Sequence, residues 1–345
     1  MGILRIYGKI DINQFWPTGT SDADTTKIKI NIGDDSFKFK ESQNGTFKAT
    51  KAFNGAISKG QVSKPVIKIK KSDGSKSITV RLQGVDAPEL HYKAAPLKGL
   101  LGFTKAERKE YNSINKERRQ CFAESATYAL SRFLKQFSNQ KGTIDAYFES
   151  QVENPSDVVD TYGRFIGDIF VGKQKDINLW LVRNGWGFPT FYTSMTIEEI
   201  QKFLDAWQKG KKVKGRLGKN IGKDAKNFNW KLLYRKPPIS SFHLGDDKGK
   251  VLMPKLFRRQ TSWLVSKKAG IIPNNISFKD YLDNSSDELF LLDDILDSDI
   301  HSSTIFTLDD FISRENKVLI NPEKLIFREK PGTLVNSKGR KITKW

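Results

Sequence analysis

The chain has 345 residues, with 59 Lys+Arg against 39 Asp+Glu and a formal net charge of +20. Its 37% hydrophobic and 11% aromatic content supplies material for a sizeable core and argues against wholesale disorder. One cysteine, Cys121, excludes a disulfide framework, and with three histidines it leaves almost no Cys/His set for zinc, so a metal would need oxygen ligands.

Residues 4–10 and 27–32 alternate apolar and polar side chains, which predicts two half-buried strands. Asp34, Asp35 and the Asn44-Gly45 pair mark turns, and residues 36–63 read as an insertion with short strands of its own. Residues 66–70 and 78–82, joined through Asp73-Gly74, predict a hairpin. A second insertion covers residues 90–116. From Glu117 to Phe137 the apolar period becomes helical through Phe122, Ala126, Ala129, Leu130, Phe133 and Leu134, with Cys121 on the apolar side. Strands are predicted at 142–149 and 167–171. A short helix is predicted over Ile177–Asn184, stopped by Gly185, and a longer one over Ile197–Lys209 leads into a basic run to Lys219. Short strands interleaved with a few helices predict an α+β fold, a small barrel with helices packed on it.

Arg235-Lys236-Pro237-Pro238 is the expected boundary between residues 1–235 and an accessory domain, 236–345, of unassigned fold. The second part holds 18 basic and 15 acidic residues, net +3, which leaves +17 on the first. A surplus of that size attracts polyanions through counterion release and long-range steering, and nucleic acid is the expected partner. The accessory part begins with a basic segment, 248–268, containing Arg258, Arg259, Lys267 and Lys268 beside Trp263. An acidic, amphipathic stretch follows over 280–310, where ten carboxylates alternate with Leu289, Phe290, Leu291, Leu292, Ile295 and Leu296. This stretch could serve as a nucleic-acid mimic, or simply pack on its own domain; a regulatory protein partner is the other expectation for 236–345. No apolar run approaches the ~18 residues of a membrane span, and no secretion signal opens the sequence, so no membrane partner and a cytoplasmic location are expected.

Three segments carry chemistry. Asp22-Ala23-Asp24-Thr25 puts two carboxylates in a turn before a strand. Arg81-Leu82-Gln83-Gly84-Val85-Asp86-Ala87-Pro88-Glu89 puts an arginine in a strand and two carboxylates in the turn that ends it. Asp160-Thr161-Tyr162-Gly163-Arg164 presents a second arginine ahead of a further strand. Singly, each has an ordinary structural use: backbone capping, strand termination, a tight turn. Together they match what phosphodiester hydrolysis needs. Oxygen ligands suit a hard cation such as Ca²⁺, a further carboxylate can take a proton from water, and two guanidiniums can fork onto phosphate oxygens.

This set resembles the staphylococcal (thermonuclease-like) nuclease family over roughly residues 4–220. Asp22–Thr25 is similar to the family's Asp-Gly-Asp-Thr segment, with Ala23 for Gly. Arg81, Asp86, Pro88 and Glu89 match its Arg-Leu…Asp-x-Pro-Glu segment, and Asp160, Tyr162, Gly163 and Arg164 its Asp-x-Tyr-Gly-Arg turn. Asn178–Gly185 is similar to its Asn-x-x-Leu-Val-x-x-Gly helix. The resemblance implies an OB-fold barrel of five strands with three helices. It implies Asp24, Asp86 and the Ala87 carbonyl as Ca²⁺ ligands, Glu89 as general base, and Arg81 and Arg164 as transition-state donors. The implied activity is sugar-non-specific endonuclease cleavage of DNA and RNA that leaves 3′-phosphates. The alternative is a non-catalytic OB-fold module that only binds nucleic acid.

Phe191 and Tyr192 stand where the family sets rings near a base, while Phe188 is equally suited to a core. Lys211 and Lys212 are candidate phosphate contacts. Ala23 departs from the pattern if that turn needs a positive φ. His91, two residues past Glu89, fits a solvated loop, and His243 and His301 are isolated.

Overall fold

The computed structural model describes residues 1–31, 36–98, 102–224, 232–242, 249–283, 287–297, 303–330 and 332–345. The turn predicted at Asp34 and Asp35, together with His243 and His301, lies outside them. Two compact units emerge. The first comprises Met1–Val85, Tyr128–Leu181 and Glu329–Trp345, and the second Asp86–Thr127 and Val182–Arg328. Five helices are used below: α1 (Lys105–Ile114), α2 (Ala123–Lys135), α3 (Ile177–Arg183), α4 (Ile197–Gly210) and α5 (Pro254–Lys268).

The first unit is built on a closed barrel of five strands: β1 (Gly2–Asp11), β2 (Thr25–Ile30), β3 (Lys76–Leu82), β4 (Thr143–Val152) and β5 (Phe165–Val171). Its neighbours run β4-β5-β3-β2-β1, and β1 returns to β4 over an antiparallel register from Gly2↔Val152 to Asp11↔Thr143. Only the β5–β3 pair is parallel. This is the small α+β barrel that the interleaved strands and helices predicted, and the OB type that the resemblance implied. The apolar positions of the strands fill its interior: Leu4, Ile6, Ile28, Ile78, Val80, Phe148, Phe165 and Ile169 are all fully buried. Closure without an open edge satisfies the strand backbones internally.

The hairpin predicted around Asp73-Gly74 forms, with Lys68↔Ser77 in register and Gly74 at φ +65°. The 36–63 segment adds Phe37–Lys40 to β1 and pairs Ile57–Lys59 with Thr333–Val335. Phe53 of that segment packs edge-on against Phe165 at 5.1 Å, and the Trp345 ring stacks on Phe39 at 4.1 Å. The helix expected from Glu117 starts only at Ala123, because Phe122 adopts φ +68°, outside the helical region. Cys121 is accordingly buried in the turn before the helix, not on its apolar face.

In the second unit, α1 and α4 each open on a capping box, Thr104/Glu107 and Thr196/Glu199, which satisfies backbone N–H groups at the helix start. Helix α1 arises within the 90–116 insertion, where no helix was predicted. Helix α5 has Pro254 in its first turn and buries Leu256, Phe257, Trp263 and Val265. Its core is shared with Phe278, Leu282, Leu289, Leu308, Leu325 and Phe327. Residues 236–328 therefore pack into the same unit as 182–235, and residues 329–345 into the other, so the compact units do not divide at 235/236.

The acidic stretch is not one helix. It runs as Phe278–Asp283, a strand over Leu289–Leu291 and a turn of helix over Leu292–Asp297. Among its described residues, Asp287 accepts from Arg259 Nε at 3.0 Å and Asp293 from Lys324 Nζ at 2.8 Å, both within the unit. Among the described residues no helix is long and apolar enough to cross a membrane.

Candidate functional site

In the first unit the barrel gathers Asp24, Arg81 and Arg164 at one end of three adjacent strands. Asp24 directly precedes β2, and its carbonyl accepts the Leu82 N–H at 2.8 Å. Arg81 sits one residue before the end of β3, in register with Thr25 on one side and Ile166 on the other. Arg164 directly precedes β5. Antiparallel pairing brings the start of β2 to the end of β3, and the staggered parallel pair brings the start of β5 beside them. Asp24 is only 9% exposed, and the Thr25 hydroxyl donates to its Oδ1 at 3.3 Å. Ala23 is not among the residues with positive φ, so its Cβ brings no backbone strain to this turn.

The Arg164 turn is organised by Asp160, whose role the motif alone did not disclose. Asp160 Oδ1 accepts the backbone N–H of Tyr162 at 2.9 Å and of Arg164 at 2.8 Å, while Oδ2 takes Arg164 Nε at 2.7 Å. Gly163 supplies φ +72° at the corner, where a side chain would be strained. The guanidinium is thus gripped along one edge, and its terminal nitrogens belong to the other. Asn178 clips the end of β3 to β5: its Nδ2 donates to Gln83 O at 2.9 Å and Gly167 O at 3.1 Å, and its Oδ1 accepts from Ile169 N at 3.3 Å.

In the second unit, Asp86 and Ala87 are buried and Glu89 is half-buried. Gln120 clamps this loop. Its Oε1 accepts the Glu89 N–H at 2.9 Å, its own N–H donates to Glu89 O at 2.8 Å, and its Nε2 donates to Leu252 O at 3.0 Å.

Both carboxylates face a residue that the motifs did not identify. Arg258, on α5, donates through one terminal nitrogen to Glu89 Oε1, and its other terminal nitrogen lies 3.8 Å from Asp86 Oδ2. Burial works against the charge of this guanidinium, but Glu89 and then Asp86 outweigh it and hold the group protonated, above its ordinary range. One turn further along α5, Ser262 shares a 3.1 Å hydrogen bond with the Tyr92 hydroxyl. Nothing in the local sequence pairs Glu89 with a residue 169 positions away.

The remaining candidates divide. Phe191 is fully buried and aligned with Ile326 in a parallel strand pair, so it is a core residue here and not an exposed platform for a base. Phe188 is also core, 5.9 Å from Trp207. Tyr192 is half-buried, with Lys255 Nζ 6.0 Å from its ring centroid. Lys211 is tied to Glu323 at 3.0 Å, whereas Lys212 is exposed. His91 packs edge-on to Tyr234 at 5.3 Å.

No cluster of three or more His, Cys, Asp or Glu suited to a metal occurs among the described residues. Two carboxylates and a carbonyl, however, are all that the resemblance asks for. Taken singly, Asp24 and Asp86 are nearly buried carboxylates of the donor type a hard divalent cation takes, and at Asp86 the Arg258 guanidinium lies 3.8 Å from Oδ2.

Residues 79–220 match the family model described as Staphylococcal nuclease homologue. Over that segment the chain is staphylococcal nuclease-like. The matched segment contains Arg81, Asp86, Glu89 and Arg164, while Asp24, β1 and β2 precede it and α5 follows it. No curated protein matches the chain.

Proposed function

We propose that the protein is a Ca²⁺-dependent endonuclease that hydrolyses phosphodiester bonds of DNA and RNA and leaves 3′-phosphates. The observation that supports this most is the convergence of Asp24, Arg81 and Arg164 at one end of adjacent barrel strands, each at its motif position. Arg164, immobilised by Asp160, offers a preorganised fork for a phosphate, and Arg81 lies two strand residues from it across the β3–β5 pair. Glu89 would accept the proton of the attacking water, and Asp24, Asp86 and the Ala87 carbonyl would hold the cation. When bound, Ca²⁺ would neutralise phosphate charge and orient the water. The surplus of +20 favours approach of the polyanion.

A binding-only module is the second reading, favoured by the ion pair that already engages Glu89. End-labelled single-stranded and duplex DNA incubated with Ca²⁺ or with EGTA separates the two. Cleavage in Ca²⁺ that stops in EGTA is expected; tight binding without cutting in either would leave the module.

A further inference from the structure

Two carboxylates that the proposed function uses for metal and base are engaged by a cation from outside the matched segment. We propose that Arg258 is a further residue of the site, a positioning residue that occupies the Asp86–Glu89 pair and sets the divalent-cation concentration at which the site works. The inference rests on the nuclease reading. Glu89 Oε1 already accepts a guanidinium N–H, so a water at that oxygen would share it with Arg258. A divalent cation on Asp86 would meet the same guanidinium, 3.8 Å from Oδ2, at close range and with like charge in a nearly buried setting. Cation binding and the Arg258 contact therefore compete at Asp86. Arg258 is not a casual surface contact. The apolar face of α5 is locked into the unit's core, and Tyr92–Ser262 holds the helix against the loop that carries Glu89.

Ca²⁺ binding to the full-length protein without nucleic acid tests this by titration calorimetry. Arg258→Gln is expected to bind Ca²⁺ at least about 10-fold more tightly than wild type, in line with couplings of close charge pairs. Its melting temperature should rise more on adding Ca²⁺, because the metal replaces the lost counter-ion. A purely structural arginine would not move Ca²⁺ affinity. Should Arg258→Gln fail to fold, Arg258→Lys keeps a compact cation on one carboxylate and should fall between the two. Equal Ca²⁺ affinities in variant and wild type overturn the inference, as does absence of binding in both. DNA cleavage measured alongside shows whether the nuclease reading falls with it: wild-type cutting with equal affinities leaves that reading standing.

A second observation stands independently in the first unit. A cleft of about 1150 Å³ lies between the barrel and the 36–63 segment, lined by Lys29, Lys51, Lys64, Lys68 and Lys76. Asp73 is the one acidic side chain among the described lining residues, and it is occupied by Lys70 at 3.4 Å and by the Ser75 N–H at 3.0 Å. Partial burial, and then the neighbouring charges of Lys64 and Lys27, lower the Lys68 pKa. The cleft adjoins the Arg164 turn, because Lys64 Cε lies 3.0 Å from where a Gly163 side chain would begin. We infer that this cleft holds the phosphate backbone of a single nucleic-acid strand passing the Arg164 turn; only the delivery of that strand for cutting rests on the nuclease reading.

Binding of a labelled oligodeoxynucleotide in EDTA, where no cutting occurs, tests it. The triple variant Lys51→Gln, Lys64→Gln, Lys68→Gln should reduce the slope of log affinity against log salt by about 2. An unchanged slope overturns the cleft assignment. A changed slope in a protein that never cuts would retain the cleft and reject the nuclease.

Discussion

Replacing Glu89 with Gln is expected to lower Ca²⁺-dependent DNA cleavage about 10²–10⁴-fold, the range for removal of a general base. The substitution conserves shape and can still accept a hydrogen bond from Arg258, and the Gln120 clamp acts through the Glu89 backbone, which it leaves untouched. Folding should therefore survive, and the far-ultraviolet circular dichroism spectrum should match that of wild type. Single-turnover cleavage of a labelled oligonucleotide gives the rate, and filter binding in EDTA gives the affinity. Loss of rate with affinity retained assigns Glu89 to the chemistry. A variant that cuts as fast as wild type would remove Glu89 from that role, and with it the importance of the Arg258 contact.

Phe165→Ala is expected to destabilise the protein by about 3–5 kcal/mol, the usual cost of deleting a fully buried phenyl ring. Phe165 is the first residue of β5, is fully buried, and packs edge-on against Phe148 at 6.0 Å and Phe53 at 5.1 Å. It also immediately follows Arg164, so the cavity lies under the turn that aims the guanidinium. Urea unfolding should show the lower midpoint. Cleavage under conditions where the variant is still folded should fall further than the unfolded fraction accounts for. A loss below about 1 kcal/mol would mean that the barrel relaxes around the gap and that the 36–63 segment does not depend on this ring.

Much of the fold was legible because burial inside a small barrel imposes a strict period of two. Residues 4–10 and 78–82 display it plainly, and both lie within barrel strands. The Asp160–Arg164 turn was legible for a similar reason: its hydrogen bonds close within five residues, so Asp, Gly and Arg must stand at fixed offsets. The start of α2 was not. Helical periodicity runs through Phe122, but the positive φ there reflects its place in the fold and no local propensity announces it. Phe191 was a candidate base contact by resemblance, and the parallel partner strand beside which it is buried is more than 130 residues away.

The sequence by itself determined most of the barrel strands, the grouping of the candidate acidic and arginine residues in three short motifs, and the excess of positive charge. Each follows from short-range periodicity, turn chemistry or simple counting. Only the tertiary structure decided that Arg258 meets Glu89 and Asp86, that residues 329–345 pack with the barrel unit, and that lysines of the barrel strands, the hairpin and the 36–63 segment line one cleft. Such pairings depend on which distant surfaces become apposed when apolar faces are buried. A linear pattern records that a helix such as α5 has a face to bury, but not which carboxylate its arginine will meet when it does.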